Sequence, residues 1–89
     1  MKIKVLDHTI TVMYVEKKSW TGDSCGDFQD TEMTIRILKD LPESLEQITL
    51  WHELIHVYQF LMGREINEDE ANLMALFIHS ILKNKCLTQ

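Results

Sequence analysis

The sequence predicts an α+β fold in which a small antiparallel sheet of about three strands packs on an αα-hairpin. Three observations predict it. Apolar and polar residues alternate through much of the first half, as far as Ile37. From Leu45 onward the apolar residues recur at three- and four-residue steps, which is the helical period. Only a short break, Gly63-Arg64-Glu65, divides that second region, so its two helices should return antiparallel.

Taken in order, Ile3, Val5 and then Thr9-Ile10-Thr11-Val12-Met13-Tyr14-Val15 read as two strands joined near Asp7-His8, with His8 a turn residue. The stretch Trp20 to Asp27 holds Gly22, Asp23, Ser24 and Gly26 and reads as a loop. Met33-Thr34-Ile35-Arg36-Ile37 alternates again and gives a third strand. Pro42 and Glu43 sit where a helix opens, and Gly63 sits where one ends. Leu45, Ile48, Trp51, Leu54, Ile55, Tyr58, Leu61 and Met62 mark the apolar positions of that helix. Asn67 is a good N-cap for the second helix, and acidic residues suit the positive first turn that follows.

Composition narrows the function classes. Eighty-nine residues make one domain, 1–89, near the small end of what folds unaided. A 45% hydrophobic fraction supports a core, and 26% charged residues suit a soluble surface. The net charge of −5 argues against broad nucleic-acid binding, which needs a basic face. Lys17-Lys18 and the lysines at 83 and 85 read as solvated. No apolar run is long enough for a bilayer and no signal peptide is visible, so a cytoplasmic protein is expected. Cys25 and Cys86 lack CxxC spacing and read as free thiols, although Cys25 could lie near a cleft.

The chemistry-bearing motif is His52-Glu53-Leu54-Ile55-His56. With this chain's His and Glu frequencies, HExxH has a chance probability of roughly 1–2%. Histidines four apart stack on one helical face, so both imidazoles reach one metal ion. Glu53 is rotated by about 100° from His52, which puts its carboxylate beside the metal, within reach of a water's proton. Catalytic zinc takes three protein ligands and keeps a position for water. The third should come from Ile66-Asn67-Glu68-Asp69-Glu70-Ala71-Asn72. Glu68 shares a face with Ala71, Asn72, Ala75 and His79, and small Ala71 and Ala75 let two helices approach closely. Glu70 points roughly 160° away from that face. Glu68 is the expected ligand, Glu70 the substitute, and Asn72 a possible support for a ligand imidazole.

HELIH followed by NEDEAN resembles the gluzincin class of zincins, in which a glutamate on the next helix is the third zinc ligand. The nearest likeness is to ImmA/IrrE-like metallopeptidases and the very small zincin-like proteins of phages and mobile elements, with Thr49-Leu50-Trp51-His52 matching a TxxH approach to the motif. It covers Thr31 to Leu82. It implies zinc (Zn2+) on His52, His56 and Glu68, Glu53 as general base, and a protein or peptide substrate, a regulatory protein by analogy. Gluzincins often carry aspartate where this chain has Asn72. The resemblance also implies an edge strand above the cleft; Thr31 to Leu38 fits that role, with Gly26 and Asp27 at its mouth, or else is an internal strand.

Two functions follow from different classes: a zinc metallopeptidase, or a non-catalytic zincin-like module that binds a partner protein. The presence of Glu53 favours the first, since a structural site has no use for that carboxylate. His79, three turns beyond Glu68, reads as a core or surface residue, and Trp20 and Trp51 as packing anchors.

Overall fold

The computed structural model describes residues 1–84 of the chain. Cys86 and the lysine at 85 lie outside these residues. β1 (Lys2–Val5) and β2 (His8–Val15) form an antiparallel hairpin. Its two-residue loop is Leu6-Asp7, with Leu6 in the left-handed region at φ 55°. His8 therefore opens β2, paired with Val5, rather than standing in the turn. β3 (Gly26–Gln29) and β4 (Thr34–Leu38) follow, then α1 (Glu43–Leu61) and α2 (Glu68–Asn84).

The sheet has four strands in the order β1-β2-β4-β3, and it is mixed. β4 runs parallel to β2, from Thr11↔Thr34 to Val15↔Leu38, and antiparallel to β3. The three-stranded antiparallel expectation is corrected on both counts. β4 is the strand that most needs two neighbours: Ile35 and Ile37 are completely buried, and Thr34 nearly so. Inserting it between β2 and β3 satisfies its backbone on both sides. Thr31 to Leu38 is thus no edge; the edges are β1 and β3.

Period two sends alternate side chains to the helix layer. Ile10, Val12, Ile35 and Ile37 from the sheet and Val57 from α1 form the core, joined by Ile3, Val5, Phe28, Leu50, Leu54 and Leu61. On the opposite face, Arg36 forms a two-pronged ion pair with Asp27, its partner across the β3–β4 ladder, with Nε at 2.9 Å from Oδ1. Trp20 lies against that guanidinium, 5.1 Å from its carbon to the ring centre. The Trp20 indole N–H also donates to the Ser24 carbonyl at 2.9 Å. The segment before β3 is therefore tied to the sheet despite its loop-like composition.

The end of α1 and the start of α2 follow from their sequences. Gly63 takes φ +68° after α1, where its N–H donates to the Phe60 carbonyl and the Arg64 N–H reaches back to Gln59. That is a Schellman termination, which favours glycine at this position. Asn67 caps α2, its Oδ1 accepting from the Glu70 N–H at 2.9 Å. Ala71 and Ala75 are fully buried between the helices, so the small-residue contact stands as expected. His79 is buried farther along α2, beside Glu43, Gln47 and Trp51. Among the described residues, no helix is long and apolar enough to cross a membrane.

Gly26 sets how closely β3 approaches α1. A Cβ there would lie 2.7 Å from Thr49 Cγ2 and 2.9 Å from the Arg36 carbonyl oxygen. The second neighbour is backbone and cannot turn aside. Gly26→Ala is expected to destabilise the fold by about 1–3 kcal/mol, as overpacking does, read as a lower denaturation midpoint. An unchanged midpoint would show that β3 can move away from α1 without cost.

Candidate metal centre

The geometry of the motif begins with the buried amide of Gln59, one turn beyond His56. Gln59 is completely buried. Its Nε2 donates to the Glu70 carboxylate at 2.8 Å and the Asn67 carbonyl at 3.2 Å, while its Oε1 accepts from the Asn67 N–H at 3.3 Å. These partners leave only one sensible orientation of the amide. The same Oε1 lies 2.8 Å from His56 Nδ1. An amide oxygen only accepts, so His56 carries its proton on Nδ1. In the neutral ring, Nε2 then presents a lone pair.

That lone pair points at other acceptors. His56 Nε2 lies 3.0 Å from Glu68 Oε1 and 3.1 Å from His52 Nε2, and His52 Nε2 lies 2.9 Å from the same Glu68 oxygen. With Nδ1 of His56 protonated, its Nε2 faces a carboxylate oxygen lone pair to lone pair. A proton or a metal ion has to lie among these three atoms: a proton on His52 Nε2 or on His56 Nε2, or a metal ion shared by all three groups. Two imidazole nitrogens and one carboxylate oxygen are a donor set that suits zinc. Tetrahedral ligands at the usual zinc bond lengths are roughly 3.3 Å apart, close to these separations. His52, His56 and Glu68 are the group among the described residues with metal-ligand geometry, their donor atoms within 4.8 Å of one another.

The structure therefore brings together His52, His56 and Glu68 and leaves Glu70 outside. Glu70 does not simply point away from the hairpin, as its position on the helix suggests. It bonds Gln59, and it lies 3.7 Å from the Arg64 guanidinium. Asn72 makes no hydrogen bond to either imidazole; Gln59 fills that role instead. Gln59 was legible only as a polar residue interrupting an apolar helix, and that interruption is the signal that marks it.

Glu53 is buried under β3, in a cavity of about 220 Å³ that it shares with His52, Asn72, Cys25 and Gly26. Cys25 thus lies near the cleft, but its sulfur is not part of the donor group. Burial raises the Glu53 carboxyl to about 7; His56 opposes this, and the negative charges of Glu68 and Asp27 add to it. Glu68 moves the other way: burial resists, but the nearby His56 and His52 nitrogens outweigh it and lower the pKa of the carboxyl.

A second cleft, of about 480 Å³, opens on the other side of the donor group, lined by Phe28, Asp30, His56, Phe60, Arg64 and Glu68, among others. Ser24, Cys25 and Gly26 border the first cavity, and Phe28 and Asp30 the second. The edge strand β3 therefore runs past the three donors from one cleft to the other. The Leu38 N–H donates to the Cys25 carbonyl, so ladder alternation turns the backbone groups of Gly26 and Phe28 to the outer edge.

Comparison with protein-family models, with curated proteins and with solved structures gave no match.

Two outcomes follow from this geometry. Gln59→Leu removes the buried amide and leaves His56, Asn67 and Glu70 without their partner. A loss of about 2–4 kcal/mol is expected even with metal chelated, since several buried groups lose partners together; equal denaturation curves would show that water replaces the amide. The second outcome concerns pH in the metal-free protein. Below pH 4.5 Glu53 is protonated in both folded and unfolded chains. Between 4.5 and about 7 the unfolded chain ionises first, so stability falls as pH rises, by up to about 3 kcal/mol. Glu53→Gln mimics the protonated form and should therefore gain on the wild type between pH 5 and 8; a pH-independent difference would contradict the buried-carboxyl account.

Proposed function

We propose that this protein is a zinc-dependent metallopeptidase. His52, His56 and Glu68 would hold the metal, and Glu53 would serve as general base. The observation that carries this reading is the convergence of the three donor atoms beside an edge strand, with the buried Glu53 carboxyl in the adjoining cavity. Bound zinc supplies acidification of a water and polarisation of a scissile carbonyl. Glu53 would accept a proton from the attacking water as its oxygen adds to the carbonyl carbon, and would pass that proton to the amine nitrogen as the C–N bond breaks.

The place for an extended peptide moves from Thr31–Leu38 to β3. β4 is paired on both sides, whereas the outer edge of β3 passes directly along the donor group. A substrate backbone adding as a further strand would meet Phe28 and Gly26. The Ser24 hydroxyl already donates to the Gly26 carbonyl at 2.9 Å, so Phe28 offers the freer pair of backbone groups. The resemblance to ImmA/IrrE-like enzymes makes a regulatory protein the substrate of choice. The rival reading, a zinc-stabilised module that binds a partner without cleaving it, shares the same metal ligands.

Material purified without chelator should contain one zinc per chain. Glu68→Ala should lose it, while Glu70→Ala, which disturbs the support of Gln59 and the Arg64 contact but removes no proposed ligand, should weaken it by a smaller factor. Glu53→Gln should keep the zinc and lose turnover on an unfolded-protein panel by about 10²–10⁴-fold, the usual worth of general-base catalysis. Equal activity in wild type and Glu53→Gln would rule the mechanism out. Zinc in both with cleavage in neither would favour the binding module.

A further inference from the structure

The two sides of α2 differ in what they meet. Ala71, Ala75 and His79 are buried against α1. The other side carries Leu73, Leu76 and Phe77, which remain 69%, 52% and 67% exposed. Isolated exposed leucines are ordinary, but three large apolar residues within five positions of one helix face form a patch.

This patch belongs to a regular pattern. Asp69, Leu73, Leu76, Ser80 and Lys83 follow one another at steps of four, three, four and three, the spacing of a coiled-coil seam. Leu76 is at its centre. Asp69 lies seven residues before it and Lys83 seven after, and both are exposed. Phe77 flanks the middle of the seam.

We propose that the outer face of α2 is the interface of a homodimer, in which two copies of α2 pack antiparallel across a two-fold axis at Leu76. The charges select this occupant. An antiparallel pairing centred on Leu76 sets Asp69 of each copy opposite Lys83 of the other. The acidic first turn of α2, Glu68 to Glu70, then meets the basic last turn of its mate, and the helix dipoles align favourably. A parallel pairing would instead stack Asp69 on Asp69 and Lys83 on Lys83. Leu73 of one copy falls beside Ser80 of the other, a large residue against a small one, which lets the helices close on Leu76. Such self-complementarity is what a two-fold interface requires.

The area sets the strength. Leu73, Leu76 and Phe77 are 69%, 52% and 67% exposed, and three such side chains per copy bury less than the ~1,200 Å² lower limit of stable interfaces, which places the dimer among weak ones. A micromolar dimer is expected rather than an obligate one. None of the five seam positions is a proposed metal ligand, so the dimer and the peptidase reading stand or fall separately.

Sedimentation velocity of the full chain, from low to hundreds of micromolar, tests the proposal. The wild type should pass from monomer to dimer. Leu76→Glu should remain monomeric, with unchanged helical circular dichroism. Asp69→Lys and Lys83→Asp should each weaken association by roughly tenfold, because each turns two attractive contacts into repulsive ones. The double variant Asp69→Lys/Lys83→Asp should recover most of that loss. A wild type that stays monomeric throughout, even while binding some other protein, would overturn the proposal. So would a double variant as weak as the singles, since only the antiparallel arrangement predicts rescue.

Discussion

A single buried side chain, Gln59, ties His56 of the candidate metal centre to the turn between the helices and to the start of α2. It is fully buried, and its carbonyl and amide ends are distinguished by their partners. Through the Asn67 backbone it holds the turn between the helices, and through Glu70 it grips the first turn of α2. Through His56 Nδ1 it decides which nitrogen of that ring is left with a lone pair. Position and protonation are thus set by the same group. A hydrophobic residue there would still let α1 form, but the imidazole would be free to rotate or to change tautomer. Buried polar networks are worthwhile only when every member is satisfied, and Gln59 meets that condition.

The second constraint is the closeness of β3 to α1. Gly26 lets the strand descend onto Thr49 and Glu53, and the Asp27–Arg36 pair with Trp20 above it keeps the strand on the sheet from the other face. Two effects follow from one placement. Glu53 is shielded from water, so its carboxyl titrates near neutrality rather than in the usual acid range. An open backbone edge also runs beside the donor group, between clefts on either side. Edge strands are ordinarily protected against pairing with other chains. β3 is short, at four residues, and that brevity limits unwanted pairing without closing the edge.

Much of this was legible in the sequence, and the remainder was hidden for identifiable reasons. Helical elements announce themselves through periodicity and end signals: Pro42, Gly63 and Asn67 each mark a boundary close to where the chain observes it. Helical periodicity picked out Glu68 beside the histidines but turned Glu70 away from α1, whereas Glu70 meets α1 as well, at Gln59. The sheet was less transparent. β3 consists of Gly-Asp-Phe-Gln, without a β-branched residue, and its strand character derives from pairing with β4 and from the Arg36 contact. Local propensity cannot register either. Without β3, β4 has no second neighbour, so its expected edge position and the antiparallel sheet were wrong together. Gln59 escaped notice for a different reason: a glutamine on a helix ordinarily faces solvent, and only its burial makes it an organiser.

The order of β2, β4 and β3 has a consequence for how tightly the centre can be built in so short a chain. β4 contributes Ile35 and Ile37 to the core and supports both neighbours, so the sheet beneath α1 has no slack at its middle. α1 in turn has the sheet on one side, α2 on another, and the clefts beside the donor group on a third. Its residues from Thr49 to Gln59 are divided among these neighbours: Val57 joins the sheet core, His52 and His56 meet Glu68 of α2, and Glu53 lies under β3. Concentrating the packing demands on one helix places the three donors and the acid on one rigid element and its immediate neighbour. On the reading proposed here, that rigidity does the work that additional subdomains perform in larger peptidases: it fixes the general base relative to the metal ligands before any substrate arrives.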